Sequence, residues 1–282
     1  MIITKIYGGL GNQMFQYALG RSLSSYQNVD LKLDISSFEN YKLHNGYRLN
    51  KFNILENLAN TKEIKELKGN NNLIIRFLRN RHIFHKKTYY PEKERTVFDP
   101  YVFKKSKIYL AGYWQNSNYF QRIREILIKE FTLKDNLSSS AKIILNNILK
   151  NNSVSIHVRR GDYLNHSEIG VLDTEYYRKA IQYIKDIISE DLFFFVFSDD
   201  ISWCKKYIRF MENVHFVENT KNELEDLCLM KNCKNNITAN SSFSWWGAWL
   251  NTNKNKVVIS PDKWVTYNPK NHKWVPDDWI TL

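Results

Sequence analysis

The chain runs to 282 residues, 43% of them hydrophobic, with 41 Lys and Arg against 29 Asp and Glu and a formal charge of +12. That length and apolar content build a core for one large domain or two ordinary ones, which excludes a disordered or fibrous protein. The basic excess favours anionic partners, and with 13 basic and 5 acidic residues between Thr61 and Leu110 that stretch alone carries +8 of the +12.

Residues 1–7 alternate apolar and polar side chains and lead into Gly8, Gly9 and Gly11; the spacing of Met14, Phe15, Tyr17, Ala18, Leu19 and Leu23 that follows is helical. The start reads as strand, glycine turn and helix, not as a signal peptide, because no cationic stretch precedes a hydrophobic run. No apolar run approaches the ~20 residues that cross a bilayer, so a cytoplasmic location is expected. Residues 29–33 read as a second strand. Residues 73–84 set Ile74, Ile75, Phe77 and Leu78 among Arg76, Arg79 and Arg81, a basic amphipathic segment suited to a membrane surface or to capping a domain.

The polar stretch 135–140 interrupts two helical patterns and marks the predicted boundary between domains 1–137 and 138–282. Beyond it, helices are expected at 138–150, 174–188, 202–211, 222–231 and from about 243, and strands at 153–158, 192–197, 214–217, 236–239 and 257–259. This alternation predicts an α/β protein with a parallel, doubly wound sheet and a ligand site at the carboxyl ends of its strands. Cys204, Cys228 and Cys233 form no CxxC pair, so neither a disulfide framework nor a zinc site is expected.

Four constellations carry chemistry. Gly8-Gly9-Leu10-Gly11-Asn12-Gln13 lies between strand and helix, where glycines let a ligand approach the backbone and helix-start amides meet an anion; it is neither a dinucleotide fingerprint nor a P-loop, and a tight turn without a ligand fits it too. His157-Val158-Arg159-Arg160-Gly161-Asp162-Tyr163 begins at a strand's carboxyl end, and Arg159 or Arg160 presents a planar fork suited to a diphosphate, or to an ion pair with Asp162. Asp199 and Asp200 close the next strand and suit guanine N–H groups, a metal or a helix N-cap. Asn240-Ser241-Ser242-Phe243 opens a helix bearing Trp245, Trp246 and Trp249, where hydroxyls and amides form a neutral anion cradle and the tryptophans suit a buried helix.

The segments GGLGNQMFQYALG, HVRRGDY and ITANSSFSWWGAWLN, in that order, resemble the family 11 glycosyltransferases, the α-1,2-fucosyltransferases. The resemblance implies a GT-B-like pair of Rossmann-type domains facing a cleft, the N-terminal one on the acceptor side, and metal-independent, inverting transfer of L-fucose from GDP-fucose to the 2-hydroxyl of a galactose. No cofactor is implied beyond that donor. It further implies that Arg159 meets the β-phosphate, that His157 and Asp199 or Asp200 meet the guanosine, and that Ser241, Ser242 and Phe243 line the donor pocket with Arg160 and Asn240. Gly9, Leu10, Gly11 and Asn12 would approach the donor from the other domain. Asp162 is the favoured general base, with His157 and Glu168 as the other candidates. The acceptor is expected to be a galactose-terminated glycan on a lipid carrier, with the basic 61–110 region at the inner membrane face. The competing readings are another nucleotide-sugar donor or a basic nucleic-acid-binding protein; the second finds no helix-turn-helix, zinc-finger or RNP-type motif.

Overall fold

The computed structural model describes residues 1–40, 43–69, 86–267 and 273–282. The basic amphipathic segment 73–84 lies outside the described residues. Two compact units emerge: unit 1 is built from Met1–Lys134 and takes in Trp274, and unit 2 from Asp135–Lys270 and Val275–Leu282. Each is an α/β unit on a parallel sheet, the make-up of a GT-B-like fold.

In unit 1, β1 (Ile2–Lys5), β2 (Leu31–Asp34), β3 (Tyr89–Pro91) and β4 (Ile108–Ala111) form an all-parallel sheet in the order β2-β1-β4-β3. Helix α1 (Leu10–Gln27) follows β1 and buries Met14, Phe15, Tyr17, Ala18, Leu19 and Leu23. Its left-handed C-cap at Asn28 and the Val29 N–H to Ser24 carbonyl bond use up residues 28–29, which is why the second strand starts at Leu31, two residues later than periodicity suggests. Helices α2 (Thr61–Lys68) and α3 (Arg124–Glu130) are short, and α2 opens with a full capping box between Asn60 and Glu63. The sequence pattern gave no sign of β3, a three-residue edge strand ending in proline.

In unit 2, β5 (Ser153–Val158), β6 (Phe193–Ser198), β7 (Val214–Phe216), β8 (Asn235–Ile237), β9 (Val258–Ser260) and β10 (Ile280–Thr281) are all parallel, in the order β10-β9-β8-β5-β6-β7. Counted within the unit this is the Rossmann order 3-2-1-4-5-6, whose direction reverses between β5 and β8. Helices α4 (Ser139–Lys150), α5 (Thr174–Ile187), α6 (Ile201–Tyr207), α7 (Glu223–Asn232) and α8 (Ser242–Trp249) complete it. Because successive strand residues point to opposite faces, Val154, Ile156, Val158, Phe194 and Val196 join one core with Tyr177, Ile181, Ile184 and Cys204. Phe195 and Phe197 join the other with Ile144, Ile148, Leu229 and Met230. Helix α6 ends at Tyr207, four residues before the predicted end, as Ile208 turns in to full burial and Asn213 takes a left-handed conformation ahead of β7. The cysteines are free thiols, Cys204 and Cys233 buried and Cys228 half-buried.

Candidate functional site

The reversal point between β5 and β8 places the loop after Val158 beside the loop after Ile237, and open α/β sheets take ligands in such a crevice. The three constellations of the second half converge there. The register of β5 on β6 pairs His157 with Phe197 and Val158 with Ser198, so the next residues fall in step: Arg159 beside Asp199 and Arg160 beside Asp200.

Arg159 is gripped twice, by Asp162 Oδ1 at 2.5 Å from Nη2 and by Asp199 Oδ2 at 3.0 Å from Nη1, and its guanidinium lies 5.4 Å from the Tyr163 ring centroid. The structural ion pair with Asp162 that the sequence allowed is therefore present. Arg160 instead lies 3.5 Å through Nε from Asp200 Oδ2, an ionic contact without hydrogen-bond geometry, and packs 3.9 Å over the Trp203 ring, a partner with no signal in the sequence. Asp199 Oδ1 also accepts the Arg160 N–H at 2.9 Å. Gly161 permits this closeness, because a Cβ there would sit 2.5 Å from Asp199 Oδ2.

Asp200 caps α6, accepting the Trp203 N–H at 3.0 Å, which is the N-cap role the sequence offered it. Asp199 and Asp200 are thus both engaged by the arginines, and neither is an idle partner for guanine. Two arginines face three carboxylates, so the arginines alone supply no net positive charge.

The remaining attraction for an anion comes from α8, which has no acidic residue in its first turn. Ser241 caps it, with Oγ accepting from Phe243 N–H at 3.3 Å, and Ser242 and Phe243 are half-buried at its start. Asn240 is buried; its Nδ2 is shared among the carbonyls of Ile169, Gly170 and Trp264 at 3.3 Å each, while Oδ1 is closed off without a partner. Tyr163 ties the halves of the site together, stacking on Arg159 and donating from its hydroxyl to the Asn240 carbonyl at 3.3 Å. Trp246 and Trp249 are buried against Trp245, as a packed helix requires.

His157 is buried, 5.6 Å from the Phe243 ring, and its Nδ1 has no hydrogen-bond partner. Burial, helped by the Arg159 guanidinium, lowers its pKa to about 3, so the ring is neutral at pH 7 and a poor general base. Glu168 is exposed, and its carbonyl accepts from Thr266 N–H at 2.9 Å.

Sequence reasoning missed Asp226. It lies in the first turn of α7, the helix after β7, and so at the carboxyl-end rim of the sheet; α7 packs against α8. Its Oδ1 is shut from solvent without a hydrogen-bond partner, and burial raises its pKa to about 6, with Glu223 and Glu225 adding and a Thr220 bond opposing. In the sequence it is one of three acidic residues that simply favour a helix start.

In unit 1, Gly9 is the N-cap of α1 and offers no side chain, leaving the amides of Leu10, Gly11 and Asn12 at the helix start. Gln13 closes the turn, donating to the Gly8 carbonyl at 2.9 Å and the Gly46 carbonyl at 2.8 Å. Among the described residues no group of three or more His, Cys, Asp or Glu is placed to hold a metal, and no helix is long and apolar enough to cross a membrane.

Comparison with known proteins agrees with the resemblance. An Escherichia coli protein named alpha-1,2-colitosyltransferase is 38% identical, and a second from E. coli, the O-antigen biosynthesis glycosyltransferase WbnK, is 37% identical; each alignment covers 98% of this chain and 98% of the relative. The mouse galactoside 2-alpha-L-fucosyltransferase Sec1 is 30% identical over 50% of this chain and 41% of its own. The family model of Glycosyl transferase family 11 matches residues 1–281, and the chain belongs to that family of glycosyltransferases.

Proposed function

We propose that the protein is an inverting, metal-independent α-1,2-fucosyltransferase that moves L-fucose from GDP-fucose to the 2-hydroxyl of a galactose in a glycan acceptor. The observation that carries the reading is the convergence at the β5–β8 reversal, where Tyr163 joins the Arg159 guanidinium to the capped start of α8. A guanidinium fork beside the start of a helix with no acidic residue in its first turn suits a diphosphate whose charge grows as the sugar leaves.

The acceptor oxygen attacks the anomeric carbon from the face opposite the β-linked diphosphate; the new C–O bond forms as the old one breaks, and GDP departs with the electron pair. Arg159 turns from Asp162 to the β-phosphate and binds it more tightly as charge develops. That turn frees Asp162 to take the acceptor's proton. His157, Arg160, Asn240, Ser241, Ser242 and Phe243 line the donor pocket. With Asp199 and Asp200 engaged, the guanine N1–H and 2-amino group fall to Asp226, the carboxylate with an unpartnered oxygen.

The acceptor is a galactose-terminated glycan on a lipid carrier, with the basic 61–110 region at the membrane face; vesicle co-sedimentation unchanged by charge reversal there would remove the membrane contact. A second donor has support from the 38% identical colitosyltransferase. Colitose is L-fucose without its 3-hydroxyl, and a site that hydrogen-bonds that hydroxyl rejects the deoxy sugar by a factor on the order of 10⁴, whereas one that ignores it takes both.

The test is incubation with GDP-fucose or GDP-colitose and a panel of β-galactosides, with and without chelator, followed by linkage analysis. Fucose on a galactose 2-hydroxyl despite chelator supports the proposal. Transfer of colitose alone replaces the donor, and no transfer with no GDP binding overturns the reading.

A further inference from the structure

Unit 1 has a second constructed surface, at the carboxyl ends of β1, β3 and β4, that the donor chemistry leaves unused. It is organised by Glu92, the residue after β3. Glu92 Oε2 accepts the Tyr113 N–H at 2.7 Å and Oε1 the Trp114 N–H at 2.9 Å, so one carboxylate holds two successive amides of the loop after β4. The carboxylate reaches them because residue 112 is glycine: a Cβ there would lie 2.3 Å from the Glu92 Cβ. Trp114, in a left-handed conformation at φ 59° and 1% exposed, anchors the loop to the core. Burial raises the Glu92 pKa, while the two amides and the Arg95 charge oppose that shift.

What the latched loop presents is suited to sugar. Tyr113 is half-buried and tilted 56° against Tyr7 at 5.0 Å between ring centroids. The exposed Arg95 guanidinium lies 4.2 Å from the Tyr113 centroid, and Lys5 Nζ lies 5.0 Å from that of Tyr7. Gln115 donates through Nε2 to Asn12 Oδ1 at 2.8 Å, which fixes its amide plane. A stacked guanidinium with free N–H directions, a fixed amide and aromatic C–H surface on one rim are the groups that hold pyranose hydroxyls and apolar faces.

We infer that this cluster is the acceptor subsite: Arg95 and Gln115 hold hydroxyls of the terminal hexopyranoside of a neutral glycan, Tyr113 packs on its C–H face, and Glu92 is a positioning residue for all three. The inference rests on the glycosyltransferase reading above but not on which nucleotide sugar is used.

Lactose is the probe. In Arg95→Ala and Gln115→Ala the lactose KM should rise tenfold or more, while GDP affinity by calorimetry and GDP-fucose hydrolysis without acceptor stay within twofold of the unaltered protein. Glu92→Gln should raise the lactose KM at unchanged donor KM, and Glu92→Asp should restore part of the loss. Saturation-transfer NMR of lactose with no donor present reads the same subsite independently and should lose its signal in the Arg95→Ala, Gln115→Ala double variant. A double variant with the original lactose KM and NMR signal overturns the subsite, as does a fall in GDP affinity matching the fall in turnover. A protein that transfers nothing from GDP-fucose but loses its lactose signal in the double variant would overturn the donor reading and leave the subsite standing.

Discussion

Replacing Asp226 by Asn should stabilise the protein and weaken its hold on GDP. The carboxyl titrates at about 6 in the folded chain against a reference of 3.8. The folded state therefore favours the protonated acid, and its penalty for the charged form is absent below pH 3.8 and complete above pH 6. At about 1.36 kcal/mol per pKa unit, the 2.2-unit difference between those two values makes the penalty on the order of 3 kcal/mol at pH 7. Asparagine carries no such penalty but must bury its own amide, which leaves a gain of about 1–3 kcal/mol at pH 7, shrinking towards nothing near pH 4. GDP affinity moves the other way. Losing a charged acceptor, and turning an amide N–H towards a guanine donor, costs on the order of 2–3 kcal/mol, about a hundredfold in Kd. Denaturant unfolding at several pH values and calorimetry with GDP measure both. Because the terminal phosphate of GDP titrates in the same range, the informative quantity is the difference between the two proteins: below pH 6 the native protein should lose up to tenfold more affinity per pH unit than Asp226→Asn. Equal GDP affinity in the two proteins, or a variant less stable at pH 7 than at pH 4 relative to the native chain, would refute the assignment.

Gly161→Ala forces a Cβ against Asp199 Oδ2, where 2.5 Å is available, so Asp199 must retreat from Arg159; about 1–3 kcal/mol of stability and roughly tenfold or more in GDP affinity should be lost, read by thermal unfolding and calorimetry. Arg159→Lys keeps the charge but not the fork, and turnover should fall on the order of a hundredfold with GDP binding less affected, so a turnover unchanged in steady-state kinetics would remove Arg159 from the leaving-group role. Asp162→Asn should lower turnover at least tenfold without changing donor KM; near-normal turnover would show that another group takes the proton.

Much of unit 2 was legible because its central strands β5, β8 and β9 are buried throughout and bounded by polar turns: β5 coincides with its predicted span, and Ser138, Asp173 and Asn222 cap the helices that follow them. Unit 1 was less so. Its sheet includes β3, and a three-residue strand is too short for periodicity to register. The loop after β4 shows in the sequence only as an aromatic run, since its shape depends on a carboxylate 20 or more residues earlier in the chain.

The candidate site divides in the same way. Residue type and strand-end position pointed to Arg159, Asp199 and Asn240, but the partition of charge among them depends on register. One step of slip between β5 and β6 would set Arg160 beside Asp199 and reverse which arginine is free to turn to a phosphate. Asp226 lies further from reach of the sequence, because an acidic residue in a helix's first turn is stabilising wherever it is solvated. Only the burial of Oδ1, among like-charged neighbours and with no donor supplied by the protein, separates it from Glu223 and Glu225. An oxygen left that way costs the fold free energy, and a ligand bringing two N–H groups recovers it, so the residue that composition explains most easily is the one whose environment most requires a partner.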